Sequence, residues 1–411
     1  MSRKLLLIVC VLNIIYHSGN AQMTNPDVQD LIGQEGRAIT TAVPFLTIAP
    51  DARAAALGDA GAATSPDANS IFWNPAKLAF IENDMGASIS YTPWLRKLVN
   101  DMSLSYLTAY KKITREQAIG FQLKYFNMGN IQFTDQAGQP LNEFRPREFS
   151  TGLTYSRKLS DNMGVAIGMK YIHSNLAGNF TLASTGEPAR PGNTAAGDIG
   201  WYYNRDLQLG GTPANLALGA AITNIGAKIS YSGNDDRDFI PTNLRVGAAF
   251  TTELDPYNKI TFIADVNKLM VPTPPVYKRD EDGRILTYPD GSNRTLAGRP
   301  VEDRSLINGM ITSFYDAPGG FQEELRELYY SFGIEYWYND LFAVRGGYFH
   351  EHRYKGNRQY FTMGFGVRYQ VFGLDFAYMV PLQQNHPLAE TLRFTLLFDL
   401  ESTGQEESIT D

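Results

Sequence analysis

The sequence predicts an all-β protein: a transmembrane antiparallel β-barrel of about fourteen strands. Apolar and polar residues alternate in repeated runs between positions 85 and 400. Successive side chains of a strand point to opposite faces, so each run makes one apolar and one polar surface. The last run places Leu392, Phe394, Leu396, Phe398 and Leu400 opposite Thr391, Arg393, Thr395 and Asp399. Such runs behind an export signal are typical of an outer-membrane barrel.

The composition agrees with this fold class. The 411 residues include 37 Gly, 23 Tyr, 23 Phe and 4 Trp, and after the N-terminus no apolar run reaches the ~18 residues of a membrane helix. The mean hydropathy is −0.25. A negative value suits a barrel, because only alternate residues face lipid.

Residues 1–21 are predicted to be a signal peptide. Arg3 and Lys4 form the positive start, residues 5–15 the apolar core, and residues 19–21 a small-x-small cleavage site. A membrane anchor is the alternative, but the apolar run is too short for one. The single cysteine, Cys10, lies in the apolar core, so the mature chain is expected to have no disulfide and no cysteine nucleophile.

The charge balance excludes nucleic acid as a partner. The formal net charge is −7, and loss of Arg3 and Lys4 with the signal peptide makes it −9. A mildly acidic chain without basic clusters has no electrostatic surface for phosphate backbones.

The alternating pattern predicts fourteen strands, taken here in chain order. They lie near residues 86–93, 102–111, 117–127, 147–158, 162–174, 195–205, 214–223, 243–253, 259–268, 328–338, 342–352, 360–370, 372–380 and 390–400.

The connections between these strands alternate in length, which predicts an orientation. They are short after every even strand, with turn formers at residues 160–161, 255–256 and 339–340, and mostly longer after odd strands. The connection at about 269–327 is the longest. Outer-membrane barrels have short periplasmic turns and long outer loops, so both mature termini are expected in the periplasm. A soluble β-sandwich, the alternative, has no reason for this alternation.

Aromatic residues gather at strand ends, Tyr91 and Trp94 among them. They are expected to form girdles at the two membrane boundaries, and ordinary cross-strand pairing is the alternative.

The residues before the first strand, 22–85, lack strand periodicity. An alanine-rich stretch at residues 51–58 predicts a short helix that ends at Gly58. Small residues allow backbones to pack closely, whereas a polar tether has more charge and less alanine. We therefore expect a plug in the periplasmic half of the barrel.

Three motifs of this segment resemble a known family. The stretch at residues 52–58 and the Trp-Asn-Pro-Ala step at 73–76 are similar to the N-terminal hatch of FadL-like barrels. Within that superfamily the chain most resembles the PorV family of the type IX secretion system of Bacteroidota, and this resemblance includes the segment 43–50 before the hatch. FadL-like barrels have fourteen strands and import hydrophobic molecules. The PorV resemblance implies a non-enzymatic role: binding of the SprA (Sov) translocon, of the C-terminal signal domains of exported proteins, and delivery of this cargo with the PorU sortase.

The resemblance and the pattern together divide the chain into four parts. They are a signal peptide (1–21), a hatch segment (22–85), a barrel (86–400) and a periplasmic tail (401–411). The candidate hatch residues are Arg53, Gly58, Asn74, Pro75 and Ala76. Asn side chains satisfy turning backbone and Pro fixes φ, so the 74–76 step is expected to hold the hatch against the wall. An ordinary turn before the first strand, or a ligand contact, is the alternative.

The long connection is the candidate surface for partner proteins. A loop of this length is usually functional or disordered, and residues 321–330 can form a short helix before the next strand. The candidate partner-binding residues of the outer loops are Trp94, Pro272, Pro274, Pro275, Phe321 and Leu325. A solvated cap over the pore is the alternative.

No site for a metal, a cofactor or catalysis is expected. The acidic run at residues 234–238 lacks the spacing of a calcium loop, and His350 and His352 lack a third zinc ligand. The chain shows no hydrolase motif. The candidate functions are therefore an adaptor in type IX secretion, or an importer of hydrophobic compounds. In either role, outer-membrane lipid is expected to surround the barrel wall. A general porin fits poorly, because the lumen is expected to be plugged.

Overall fold

The structure is a computed structural model that describes residues 38–96, 99, 101–134, 139–176, 178, 189–231, 237–301, 304–383 and 391–400. The predicted signal peptide, the tail at 401–411 and residues 234–236 of the acidic run lie outside these ranges. Within them, no helix is long and apolar enough to cross a membrane.

Fourteen antiparallel strands close into a barrel, which confirms the predicted fold class and strand number. Consecutive barrel strands are neighbours, and the first strand pairs with the last to close the wall. The barrel strands are β1 (Met85–Pro93), β2 (Met102–Thr114), β3 (Gln117–Met128), β6 (Arg147–Lys158), β7 (Met163–Asn175), β8 (Gly192–Leu209), β9 (Thr212–Gly226), β10 (Asn243–Asp255), β11 (Asn258–Leu269), β14 (Leu328–Tyr338), β15 (Phe342–His350), β16 (Gln359–Tyr369), β17 (Phe372–Pro381) and β18 (Leu392–Leu400).

Side chains alternate between the two faces of the wall as the sequence pattern predicts. On β7, Ile167 and Met169 are 64% and 74% exposed on the outside, whereas Ala166 and Lys170 are buried on the inside. The apolar face thus meets lipid and the polar face lines the lumen.

The connections are short at one end of the barrel and long at the other. We call these the short-turn end and the long-loop end. Two long connections contain hairpins, β4 (Ile131–Thr134) with β5 (Pro140–Phe144) and β12 (Val276–Tyr277) with β13 (Thr295–Ala297). The longest connection also contains helices at Leu306–Thr312 and Phe321–Arg326. The predicted helix at 321–330 is therefore shorter than expected, because Leu328 already begins β14.

Residues 38–84, which we call the N-terminal segment, occupy the lumen. They form 3-10 helices at Pro44–Thr47 and Pro75–Phe80 and single-turn α-helices at Ala52–Ala55 and Ser70–Trp73. The first α-helix begins where the Asp51 carboxylate accepts a hydrogen bond from Ala54 N at 2.9 Å. The chain leaves it through Gly58, whose φ is +70°.

The N-terminal segment extends further than a plug in one half of the barrel. Pro75–Phe80 packs on β6, β7 and β8, where Ser156 and Gly164 lie close to the short-turn end. At the other extreme, Ala42 N donates to Phe239 O (3.0 Å) in the connection between β9 and β10, at the long-loop end. The segment is therefore not confined to one half of the barrel, as a plug in the periplasmic half would be. The apolar side chains near position 45 are buried against apolar wall residues at the long-loop end, and this burial holds the segment there.

Candidate functional site

The N-terminal segment and the wall approach each other at backbone distance. Luminal glycines make this possible: a Cβ at Gly347 would overlap Gly58 N, and one at Gly219 would overlap Ala62 O. Gly200, Gly333 and Gly364 face the segment in the same way. We did not predict these contacts. The available signal was the glycine positions on the polar faces of the strands.

Gly58 is held by two strands at once. Its N–H donates to Thr362 Oγ1 (2.9 Å), and the Thr362 hydroxyl donates to Ala56 O (2.9 Å). A Cβ on Gly58 would lie 2.6 Å from the carbonyl oxygen of Tyr348. A side chain here would combine a steric overlap with a left-handed backbone that L residues rarely adopt.

Arg53 is the main charged anchor of the N-terminal segment. Its guanidinium pairs with Glu335 of β14 through Nε (3.0 Å) and Nη2 (2.7 Å). It also donates to Asp67 Oδ2 (3.0 Å) and to the Ser65 hydroxyl (2.6 Å) within the segment. Both Arg53 and Glu335 are buried. Removal of one partner of a buried ion pair costs about 3–5 kcal/mol, so this contact opposes displacement of the segment.

Further ion pairs continue along the wall behind Arg53. We call this series the charge ladder; its members are Arg53, Glu335, Arg345, Asp375 and Arg368. Arg345 donates to Glu335 (2.6 Å) and to Asp375 (2.7 Å), and Asp375 also accepts from Arg368 Nη2 (2.8 Å). Each carboxylate therefore lies between two guanidinium groups. Such a network of alternating charges keeps each buried carboxylate paired.

Asn74 ties the segment to the opposite side of the barrel. Its Nδ2 donates to Ala62 O (3.0 Å) and to Trp201 O of β8 (2.9 Å), while Oδ1 accepts from Ala76 N (3.2 Å). Pro75 is buried in the first turn of the following 3-10 helix. Ala76 O accepts from the Ser156 hydroxyl of β6 (3.1 Å). The structure thus brings all three residues into contact between segment and wall, and shows no free polar group there for a ligand among the described residues.

Lys77 and Asp51 are buried and form hydrogen bonds within the N-terminal segment. Lys77 Nζ donates to Gly61 O and Thr64 Oγ1, both at 2.8 Å, and burial lowers the pKa of this amine to about 8. Asp51 accepts from Trp73 Nε1 (2.6 Å). Burial, reinforced by the charge of Asp67, raises the pKa of the Asp51 carboxyl to about 6.

Residues 43–50, which we call the strap, close the lumen at the long-loop end. Val43, Phe45 and Leu46 are buried against Leu104 and other apolar residues of the wall. Burial of three such side chains contributes roughly 5–9 kcal/mol. The strap therefore stays in place unless this surface is replaced.

Lys124 of the wall and Trp94, a candidate partner-binding residue, also contribute to the closure at the long-loop end. Lys124 Nζ of β3 donates to Leu46 O (3.3 Å) and Ile48 O (2.6 Å) of the strap. Trp94 is half-buried over the same cluster, with its ring edge-on to Phe126 at 6.3 Å. Trp94 therefore packs against the strap and does not project freely from an outer loop.

Within the part of the chain that the structure describes, the N-terminal segment occupies the lumen and the wall has no open seam. A cavity of about 70 Å³ lies between strap and wall, lined by polar side chains such as Arg245 and Asn267 and by apolar ones such as Phe72 and Leu269. All fourteen strand pairs are hydrogen-bonded. The β8–β9 ladder is interrupted once, at Asn224, whose N–H donates to Asp198 (2.8 Å). The described residues thus show neither a continuous channel nor a lateral window.

Buried ion pairs fix the longest connection to the rim of the barrel. Lys268, at the end of β11, pairs with Glu324 (3.0 Å) and Glu327 (2.8 Å). Lys355, between β15 and β16, pairs with Glu323 (2.6 Å) and also with Glu327 (2.9 Å). All five side chains are buried. This end of the connection is therefore a fixed platform.

The platform exposes apolar side chains on the faces opposite its ion pairs. Phe321 is 76% exposed and Leu325 46% exposed. Exposed apolar residues also occur on and after the first helix of the connection: Ile307, Ile311, Phe314 and Tyr315. We call these six residues the apolar platform. Exposed large apolar side chains in such number make this a candidate interaction surface.

The predicted proline contacts lie elsewhere. Pro272 and Pro275 are buried and Pro274 is half-buried at the start of the connection. These prolines line a surface hollow at the base of the connection, and their contact with a partner stays a prediction. Their burial depends on neighbouring loops, which local sequence does not specify.

The described residues hold no cluster of side chains suited to a metal ion. Glu351, between the two histidines, is buried and pairs with Arg358 (2.7 Å). His350 Nδ1 lies 3.3 Å from the Tyr348 hydroxyl at the end of β15. These groups are engaged within the rim itself.

The sequence matches one family model, that of type IX secretion system protein PorV, over residues 32–276. No curated protein matches the sequence.

The fold is similar to solved transporters at low identity. The toluene transporter TbuX of Ralstonia pickettii is 12% identical, with 90% of this chain and 99% of TbuX covered and a TM-score of 0.42. The toluene transporter TodX of Pseudomonas putida is 10% identical, with 88% and 98% covered and a TM-score of 0.45. A FadL homologue of Pseudomonas aeruginosa is 12% identical, with 89% and 99% covered and a TM-score of 0.40. Similarity at this level carries no information on ligands.

Proposed function

This chain belongs to the PorV family of type IX secretion system proteins, and we propose that it works there as an adaptor at the cell surface. It is an outer-membrane component of the system and not an enzyme. In the proposed role it binds the SprA (Sov) translocon and the C-terminal signal domains of exported proteins, and passes this cargo to the PorU sortase. The long-loop end faces the exterior in this role.

The observation that carries the proposal is the closed lumen. Among the described residues, the strap, the charge ladder and the close backbone contacts occupy the barrel from one end to the other, and the cavity between strap and wall measures about 70 Å³. A barrel without a path through it acts through its surfaces. The lipid-facing wall and the long-loop end are the surfaces available.

The apolar platform is the part of the long-loop end best suited to a protein partner. Its helix at Phe321–Arg326 is held by buried ion pairs, so little conformational entropy is lost there when a partner binds. Phe321 and Leu325 are one helical turn apart and can insert together into an apolar pocket.

A double substitution tests this surface. Phe321→Ser with Leu325→Ser removes the two apolar side chains, and Leu296→Ser is the matched control, because Leu296 is 60% exposed in the hairpin of the same connection. Tagged protein is purified in mild detergent, and co-purified translocon and cargo are quantified. We expect at least a tenfold loss with the double variant only. Unchanged recovery of both would remove the platform from the interface.

Deletion of the gene tests the role as a whole. We expect exported proteins with type IX signal domains to accumulate in the periplasm, and the wild-type gene to restore their surface attachment. Normal attachment without the protein would refute the adaptor role.

Import of hydrophobic compounds is the alternative function. It has weaker support, because the cavity between strap and wall is small and every neighbouring pair of wall strands is hydrogen-bonded. An importer purified in mild detergent is expected to carry bound lipid and no secretion partner.

A further inference from the structure

The outer face of the barrel wall contains an apolar groove across β10, β11, β14 and β15. Ala248 lies directly opposite Ala264 in the register of β10 and β11, and Gly346 lies on the same face of β15. The larger side chains of Phe262 and Phe332 project beside these small residues. The groove has a volume of about 560 Å³, within the range of roughly 300–1,000 Å³ that is usual for ligand pockets.

The location of the groove defines the kind of molecule that fills it. Its lining includes Phe250, Ile334 and Phe361, and it opens on the face of the wall that meets lipid. A hydrocarbon chain therefore packs into it through many weak dispersion contacts. Lipid chains are as apolar as the lining, so this contact alone does not favour one lipid over another. Selection of a lipid requires a second contact, with its headgroup.

The end of the groove nearest the long loops becomes polar. Tyr348 lines the groove, and its hydroxyl lies 3.3 Å from Nδ1 of His350, two residues further along β15. The ring of Tyr330 on β14 lies 6.4 Å from the ring of His350. Amphipathic side chains of this kind are common at the boundary between hydrocarbon and headgroups. This boundary places the headgroup of a lipid from that leaflet immediately beyond His350.

Two arginines lie just beyond this boundary. Arg326 ends its helix two residues before β14 begins, and Arg353 follows the end of β15 by three residues. Both guanidinium groups lie over the ring of Tyr354, at 5.7 Å and 4.3 Å from its centroid. The two positive charges are therefore close together at the rim, next to two of the strands that form the groove.

The charge of these arginines is not neutralised by a neighbouring carboxylate. Neither Arg326 nor Arg353 forms an ion pair among the residues that the structure describes. Burial lowers the pKa of His352, and the positive charges of Arg326 and Arg353 lower it further, so the local potential is positive. The carboxylates of the rim pair with other cations, namely Glu324 and Glu327 with Lys268, Glu323 with Lys355, and Glu351 with Arg358.

We propose that this part of the wall binds one anionic, phosphate-bearing lipid, with a fatty-acid chain in the groove and the phosphate between Arg326 and Arg353. A guanidinium group suits this ligand, because it can donate two parallel hydrogen bonds to phosphate oxygens. The lipid comes from the leaflet at the long-loop end, which is the outer leaflet in the orientation given under the proposed function. Binding at this site does not depend on the adaptor role.

Lipid titration of the purified protein tests this site. Full-length protein in mild detergent is mixed with dioleoylphosphatidylglycerol, which is anionic, or with dioleoylphosphatidylcholine, which has the same chains and no net charge. Native mass spectrometry measures the bound lipid. Arg326→Gln with Arg353→Gln removes the charges, whereas Ala264→Phe fills the groove from the outer face.

Each change has a matched control. Arg279→Gln with Arg284→Gln alters two exposed arginines in the longest connection. Ala195→Phe adds the same bulk to an exposed alanine on the outer face of β8, away from the groove. Heat-modifiable migration in gels checks that every variant is folded.

We expect the wild type to bind phosphatidylglycerol at least tenfold more tightly than phosphatidylcholine. The double arginine variant is expected to lose this preference, Ala264→Phe to bind both lipids at least fivefold more weakly, and the controls to stay within twofold of the wild type. Equal affinity of the wild type for the two lipids, or an unchanged preference in the double arginine variant, would overturn the inference. Unchanged binding of both lipids by Ala264→Phe would place the chain outside the groove and would overturn it as well.

Discussion

Replacement of Arg53 by methionine is expected to loosen the closure of the lumen while the barrel itself persists. Methionine keeps an unbranched apolar stem of similar width but removes the guanidinium group and its hydrogen bonds to Glu335, Asp67 and Ser65. Loss of one partner of a buried pair costs about 3–5 kcal/mol. Glu335 keeps Arg345 as a partner, so we expect the lower limit, about 3 kcal/mol.

This free energy changes the equilibrium between molecules with a closed lumen and molecules with an open one. At 1.4 kcal/mol per factor of ten, about 3 kcal/mol raises the open fraction roughly a hundredfold. The assay is ion conductance of the purified protein in planar bilayers, in which openings per hour are counted. The barrel keeps its strand pairing, because Arg53 belongs to no strand. Its heat-modifiable migration is therefore expected to remain.

Two further variants isolate the ion pair. Arg284→Met changes an exposed arginine of the longest connection and is expected to leave conductance unchanged. Arg53→Met combined with Glu335→Met removes both charges, and we expect it to lose less than the sum of the two single variants. Conductance of Arg53→Met equal to that of wild type would refute the assigned role of Arg53 in closure, and additive effects would refute direct coupling.

Three other predictions concern the same closure. Gly58→Ala is expected to lower the midpoint of thermal unfolding by several degrees, because of its steric overlap with β15, whereas Gly210→Ala, also at positive φ but with open space around it, changes the midpoint less; equal shifts would contradict the packing argument. Lys355→Met leaves two buried carboxylates short of a partner and is expected to make the longest connection at least tenfold more sensitive to protease, with exposed Lys278→Met as control. The pKa of the Asp51 carboxyl is higher in the folded protein (about 6) than in an unfolded chain (3.8), so the folded state binds more protons between these values and its stability falls as pH rises from 4 to 6; Asp51→Asn is expected to flatten this part of the stability profile, and an unchanged slope would contradict the assignment.

Most of the barrel could be predicted because strand periodicity is a local property. The alternation of Ile167 and Met169 with Ala166 and Lys170 needs only the geometry of a single strand and the two solvents on its faces. Turn-forming residues and loops mark where one strand ends and the next begins, so the strands could be counted. The predicted number of fourteen was confirmed. Single-turn helices such as Ala52–Ala55 are too short for periodicity, so only their caps signalled them.

The candidate site was predicted in its parts but not in its connections. Arg53, Gly58 and Asn74 were selected from motifs, yet their partners are far away in the sequence. Glu335, for example, lies 282 positions from Arg53. Nothing in the neighbourhood of either residue specifies the other.

Pattern alone was sufficient for the fold class, the strand number and the polar face of each strand, because these follow from interactions between near neighbours and the surrounding solvent. Tertiary structure was needed to show that luminal glycines admit the N-terminal segment, that buried charges lock it and that the strap lies at the long-loop end. These features depend on barrel closure, which places distant residues around one enclosed volume from which water is excluded.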